Sequence, residues 1–255
     1  MWKLLIIVGA VLLAAYRVRV LHKRGVPVAT ALGFGLDRRP FVNLAVGGVI
    51  SAGTMSAIFL LEWWTGLLSV ARVRSVTALT HDLSSFVAVP LIEEFVFRCA
   101  ILGALLLLVR RPSIAVVISA AVFGGLHAGN PNASVLSVLS TTLGGLAYGS
   151  AFAATERIWL PLGLHFGWNY AQARVFGFSI SGGPVRGPAP FVQQHDIGPA
   201  LFTGGAYGPE GGLIGVGARV FVFVLIAAWL IFEGRHRKSG AGSQMDHGEA
   251  KQIPV

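Results

Sequence analysis

Apolar residues in this chain run in blocks close to the ~20 residues that cross the hydrocarbon of a bilayer. Gly, Pro and charged residues punctuate the gaps between blocks. Seven blocks can be read, at residues 2–20, 41–61, 83–109, 114–126, 135–154, 158–178 and 213–232. The pattern predicts an all-α fold, a polytopic transmembrane helical bundle of about seven spans. The fourth block is short and is expected to run on toward Asn130. The third is long, and Pro90 inside it is the expected place for a kink or break. The first has no small-x-small cleavage site ahead of Arg17, Arg19 and Lys23, so it reads as an uncleaved span.

Composition agrees with a membrane solvent. Charged residues make up 12% of the chain and hydrophobic ones 54%, against about 25% charged in ordinary soluble domains; the mean hydropathy is +0.70. So few charges cannot cover a soluble domain this apolar. A net charge of +9 raises the question of nucleic acid, but the basic residues form short clusters beside apolar blocks rather than one polar face. Topology explains them, and the expected partner is the lipid bilayer, with no nucleic acid. Cys99 is the only cysteine, which excludes an intramolecular disulfide and reads as packing.

Lys and Arg near span ends concentrate on the cytoplasmic side. With an external N-terminus, 13 basic residues fall on the inner side: the cluster from Arg17 to Arg39, then Arg110, Arg111 and Arg157, then Arg235, Arg237, Lys238 and Lys251. Lys3, Arg72, Arg74 and Arg186 fall outside, and Arg98, Arg174 and Arg219 lie within spans. The chain is therefore read as integral and multi-pass, with its N-terminus external and its C-terminus cytoplasmic. Five regions follow: N-terminal spans and loops at 1–82, a core bundle at 83–178, a Gly/Pro-rich external loop at 179–212, a last span at 213–233 and a cytoplasmic tail at 234–255. The loop is expected to hold little regular structure and to act as a linker, with a lid as the alternative. The polar tail is expected to be disordered. Gly145 with Gly149, and Gly163 with Gly167, recur at a four-residue spacing that lets helix backbones approach closely.

Ionisable residues inside a span cost about 2.5–3.5 kcal/mol each on insertion scales, so each needs a partner or a task. Glu93 and Glu94 are adjacent in the third block, with Arg98 one turn after Glu94 and placed to neutralise it. Consecutive helical residues point about 100° apart, so Glu93 is left without a local countercharge and free to act as a base. His127 ends the fourth block, and His165 with Asn169 share one helical face in the sixth. Taken alone, a buried Glu–Arg pair can simply orient helices and one His is usually a core residue. Two His, an Asn and a Glu pair together ask for chemistry. Counted from the cytoplasmic ends at about 1.5 Å per residue, Glu93 lies roughly 24 Å deep, His127 roughly 20 Å and His165 roughly 10 Å. Bringing His165 level with the others then calls for a tilted sixth span or an irregular start near Pro161.

The order Glu93-Glu94-x-x-x-Arg98, Phe123-x-x-x-His127, His165-x-x-x-Asn169 on successive spans resembles the CPBP family, the CAAX prenyl endopeptidase and bacteriocin-processing intramembrane proteases. The resemblance covers the third to sixth spans; Cys99 stands where that family often has Gly. It implies an intramembrane peptidase in which Glu93 and His127 activate water while His165 and Asn169 stabilise the oxyanion, with Glu94 and Arg98 in support. No cofactor is required on this reading. Zinc is the alternative, since Glu, His and His can also be ligands of a metalloprotease, but Asn169 suits an oxyanion better than a metal. Two rival readings are a transporter or ion relay, which the motif order does not explain, and a catalytically silent immunity or binding member of the same fold. The substrate is not specified: prenylated C-terminal peptides, peptide leaders and sorting segments all fit the resemblance.

Overall fold

A computed structural model describes residues 2–36, 39–184 and 187–249, with 2–4 and 235–249 described by backbone alone. Arg186, Arg38 and Lys251, used above to orient the chain, lie outside the described residues. Helices form where the apolar blocks predict them. In chain order they are α1 (Trp2–His22), α2 (Pro40–Trp64), α3 (Leu83–Glu94), α4 (Pro112–His127), α5 (Val135–Thr155), α6 (Trp159–Asn169) and α7 (Leu213–Glu249). Helix α3 continues as a π-helix over Phe95–Leu102 and as α-helix over Gly103–Leu108, and α6 continues as a π-helix over Tyr170–Val175.

Local chemistry sets several of these boundaries. Pro40 and Pro112 open α2 and α4, where a missing backbone N–H costs no hydrogen bond. Ser134 caps α5 by accepting from the Ser137 N–H, and the Ser137 hydroxyl accepts from the Ser134 N–H in return. The fourth helix ends at His127 instead of running on to Asn130; a turn closed by the Asn130 N–H on the His127 carbonyl stops it. Pro90 sits inside α3 without ending it, and the departure from α geometry comes later, at Phe95–Leu102. π-helical turns of this kind gather at functional sites.

By length and composition, four described helices can cross a membrane, within Leu5–His22, Pro40–Trp64, Val135–Thr155 and Leu213–Gly234; Pro112–His127 is apolar but shorter. The count expected from hydropathy was higher because it joined the pieces of two π-interrupted helices into single spans and also took in the short helix Pro112–His127. Large apolar side chains face outward along these helices, among them Leu12, Phe41, Val49, Val117 and Val224. That outward apolar face is what lipid accepts and water does not.

The interior is held by close backbone approaches. Helices α2 and α6 cross with glycine on both sides: a Cβ on Gly163 would overlap the Leu44 carbonyl, and one on Gly167 would overlap Gly48. Gly145 and Gly149 likewise bring α5 onto Ala120 and Val116 of α4. Buried around these crossings are Met55, Tyr148, Leu160, Leu164, Trp168 and Val222.

The segments outside the apolar blocks are more ordered than their composition predicts. Strand β1 (Leu68–Val73) pairs antiparallel with β2 (Val192–Asp196), tying the connection after α2 to the Gly/Pro-rich segment. That segment also meets the α4–α5 turn, where the Asn132 side chain donates to the Gly182 carbonyl at 3.0 Å. At the other end of the bundle, Ile158 N–H donates to the Gly33 carbonyl at 3.0 Å and the Trp159 indole to the Gly35 carbonyl at 2.9 Å. Helix α7 runs past its apolar part to Glu249, so the polar backbone from 234 to 249 continues the helix where composition predicts disorder.

Candidate active site

The bundle holds an open-sided cavity of about 440 Å³ lined by Glu93, His127, His165 and Asn169 together. All four residues singled out from the motifs meet there, from α3, α4 and α6. A second cavity of about 710 Å³, lined in part by Ile180, Gly183, Pro184 and Gly187, shares Asn130, Asn169 and Ser181 with the first, forming a vestibule on the side of the Gly/Pro-rich segment.

The two glutamates divide as their angular offset predicts. Glu94 is fully buried and Glu93 is 31% exposed, so Glu93 is the carboxylate open to the cavity. Arg98 Nε lies 3.1 Å from Glu94 Oε2. The approach lacks hydrogen-bond alignment and is an ion contact. The guanidinium Nη atoms make no hydrogen bond; instead the group lies over the Phe123 ring at 4.6 Å and the Tyr148 ring at 5.6 Å, a cation–π arrangement.

Glu94 acts on His165 rather than on Glu93. His165 Nδ1–H donates to Glu94 Oε1 at 2.9 Å, and His165 Nε2 lies 3.7 Å from Glu93 Oε2. The imidazole therefore bridges the adjacent carboxylates, and α6 supplies Glu93 with a neighbour that its own helix lacks. His127 Nδ1–H donates to the Phe123 carbonyl one turn back at 2.7 Å, leaving Nε2 as the free nitrogen of that ring. Phe123 packs on both imidazoles, with centroids 4.6 Å from His127 and 6.2 Å from His165.

The depth mismatch for His165 disappears for a structural reason. Arg157, Ile158 and Leu160 are already buried at the start of α6, and residues 33–35 wrap over that start. The helix begins inside the bundle, so counting from a surface end understates its depth. Pro161 falls in the first turn, where it is tolerated, and the start is regular.

Tyr148, Glu210 and Arg219 also line the cavity and were not singled out from sequence. Arg219 carried a signal, a cation within an otherwise apolar block. Glu210 carried none, being one acid in a loop. Among the described residues, no group of three or more His, Cys, Asp or Glu side chains is placed to hold a metal ion.

An exterior apolar enough for lipid and a cavity lined by Glu, His and Asn side chains define a helical membrane protein with polar groups gathered inside its bundle. Residues 75–171 match the family model described as Type II CAAX prenyl endopeptidase Rce1-like, in line with the motif resemblance. The match takes in every candidate residue from Glu93 to Asn169. No curated protein and no solved structure matches the chain.

Proposed function

We propose that this chain is an intramembrane endopeptidase that cleaves a membrane-associated peptide or protein by attack of water activated at Glu93. The convergence of Glu93, His127, His165 and Asn169 on one cavity carries the reading. Glu93, open to the cavity, takes a proton from water while the free Nε2 of His127 holds the same water. The water oxygen adds to the scissile carbonyl carbon. The oxyanion meets the Asn169 amide and the Nε2–H of His165 in its doubly protonated form, whose Nδ1–H is already committed to Glu94. Glu93 then passes its proton to the leaving amine as the C–N bond breaks. No metal enters this sequence.

The family match favours a prenylated C-terminal segment as substrate, with other lipid-anchored or sorting segments as the wider class. The apolar blocks favour seven crossings. The β1–β2 pair and the Asn132 bond to Gly182 join connections at one end of the bundle, and Ile158 and Trp159 meet Gly33 and Gly35 at the other, the pattern alternating spans would give. The basic residues put the first end outside and the C-terminus inside.

The test is cleavage of lipidated and unmodified reporter peptides by the purified full chain in lipid nanodiscs. Glu93→Gln keeps the shape of the carboxylate but cannot take the proton, and should abolish turnover while peptide binding persists. Asn169→Ala should lower turnover by about 100- to 1,000-fold, as when one oxyanion donor is lost. Exhaustive chelation should leave wild-type turnover intact. Full activity in Glu93→Gln would refute the site, and loss on chelation with recovery on added zinc would turn the same residues into ligands.

A further inference from the structure

We infer that Tyr148, held by Arg219 and Glu210, is a positioning residue for His165, so that the Gly/Pro-rich segment belongs to the active site as more than a linker. The inference rests on the peptidase reading above.

His165 has one nitrogen fixed by Glu94, but that bond alone leaves its ring plane free to swing. Tyr148 removes the freedom by stacking on the imidazole, with centroids 5.3 Å apart and planes at 27°. The tyrosine is anchored at its far end, where its hydroxyl oxygen accepts from Arg219 Nη1 at 2.6 Å. Arg219 is fixed on two further sides: its guanidinium lies 3.5 Å over the Trp168 ring, and Nη2 donates to Glu210 Oε1 at 3.3 Å. Glu210 closes the set by also accepting from the Trp168 indole at 3.1 Å, the Gln172 amide at 2.9 Å and the Ser181 backbone N–H at 3.3 Å.

Trp168 and Gln172 belong to the same helical stretch as His165, on either side of Asn169. One carboxylate from the segment after α6 therefore grips that helix next to its chemical residues and, through Arg219, sets the ring that sets the imidazole. Tyr148, Glu210 and Arg219 are all buried. A buried ion pair is seldom the most stable filling for such a space, and apolar residues of like volume often do as well or better. What this pair adds is orientation at the wall of the catalytic cavity. A bland structural link between helix and loop would need neither the stack on His165 nor a place on that wall.

Two variants separate orientation from mere support. Tyr148→Phe keeps the ring and deletes only the oxygen that Arg219 holds; Glu210→Gln keeps the size and deletes the charge that accepts four donors. For the folded fraction of the full chain, each should lower kcat by about 10- to 100-fold, the scale of a small misplacement of reacting groups, with KM unchanged. In protein labelled with 15N-histidine, the side-chain signals of His165 should move in both variants while those of His127 stay. Should Glu210→Gln not fold, Tyr148→Phe carries the test alone. A lowered melting temperature with wild-type kcat and unmoved His165 signals would overturn the inference and leave a structural link. The imidazole signals are read without turnover, so they decide this point even if the peptidase reading fails, a failure that Glu93→Gln detects on its own.

Discussion

Removing Arg98 tests the buried charge arrangement more directly than any other change. Arg98 and Glu94 are both 0% exposed, so solvent screens neither charge and the discount that applies to surface ion pairs does not apply. Arg98→Ala leaves Glu94 facing His165 without its cation. Breaking a buried pair from one side typically costs about 3–5 kcal/mol, and the lost contact with Phe123 and Tyr148 adds to it. At roughly 2–4 °C per kcal/mol for a chain of this size, the melting temperature should fall by about 6–20 °C. The measurement is thermal unfolding of detergent-purified protein followed by circular dichroism, for wild type, Arg98→Ala, Arg98→Met, Glu94→Gln and the Arg98→Met/Glu94→Gln double variant. Because removing both charges leaves neither one buried without its partner, the double variant should recover much of the loss and give a coupling of at least about 1 kcal/mol. Glu94→Gln keeps an acceptor for His165 Nδ1–H, so its own cost should be the smaller of the two. Additive losses with no coupling, or an Arg98→Ala protein that melts with the wild type, would refute the arrangement.

Two further outcomes are expected. Gly163→Val should cost about 1–3 kcal/mol or more, because the new side chain meets the Leu44 backbone and the α2–α6 crossing cannot relax around it; a melting temperature equal to wild type would mean the helices do not touch there. Val28→Cys and Thr77→Cys should react with an impermeant thiol reagent from opposite sides of intact cells or vesicles, Thr77→Cys from the outside, while buried Cys99 stays silent. Labelling of both from one side would overturn the alternating topology.

The apolar character, the helical class and the polar residues that meet in the cavity were legible in the chain because each is a local property. An apolar block long enough to cross lipid declares itself without reference to its neighbours, and a carboxylate pair or histidine inside one stands out because burial there is costly. The spacing of Glu94 and Arg98 already implied their pairing, and glycine at four-residue intervals implied the close crossings that the backbone shows. The order of the three motifs supplied the family resemblance that the match over residues 75–171 supports.

Other features depend on distance in space rather than along the chain. The π-helical turns after Glu94 and Asn169 have no pattern in composition, and they break what hydropathy counts as single spans. Strands β1 and β2 are separated by four helices and form only because the bundle brings two loops to one end. The depth of His165 was misjudged because α6 starts within the protein, which a count of residues from a presumed surface cannot detect.

What the sequence by itself determined is thus which segments seek lipid and which polar groups are carried into it, since hydrophobicity and helical spacing act within each segment. Which carboxylate holds His165, which stays open to the cavity, and how Tyr148, Arg219 and Glu210 surround that imidazole were decided only by the tertiary structure. Those contacts join residues 71 positions apart for Glu94 and His165, and again for Tyr148 and Arg219, and they arise from glycine-lined crossings that fix how far each helix slides past the next.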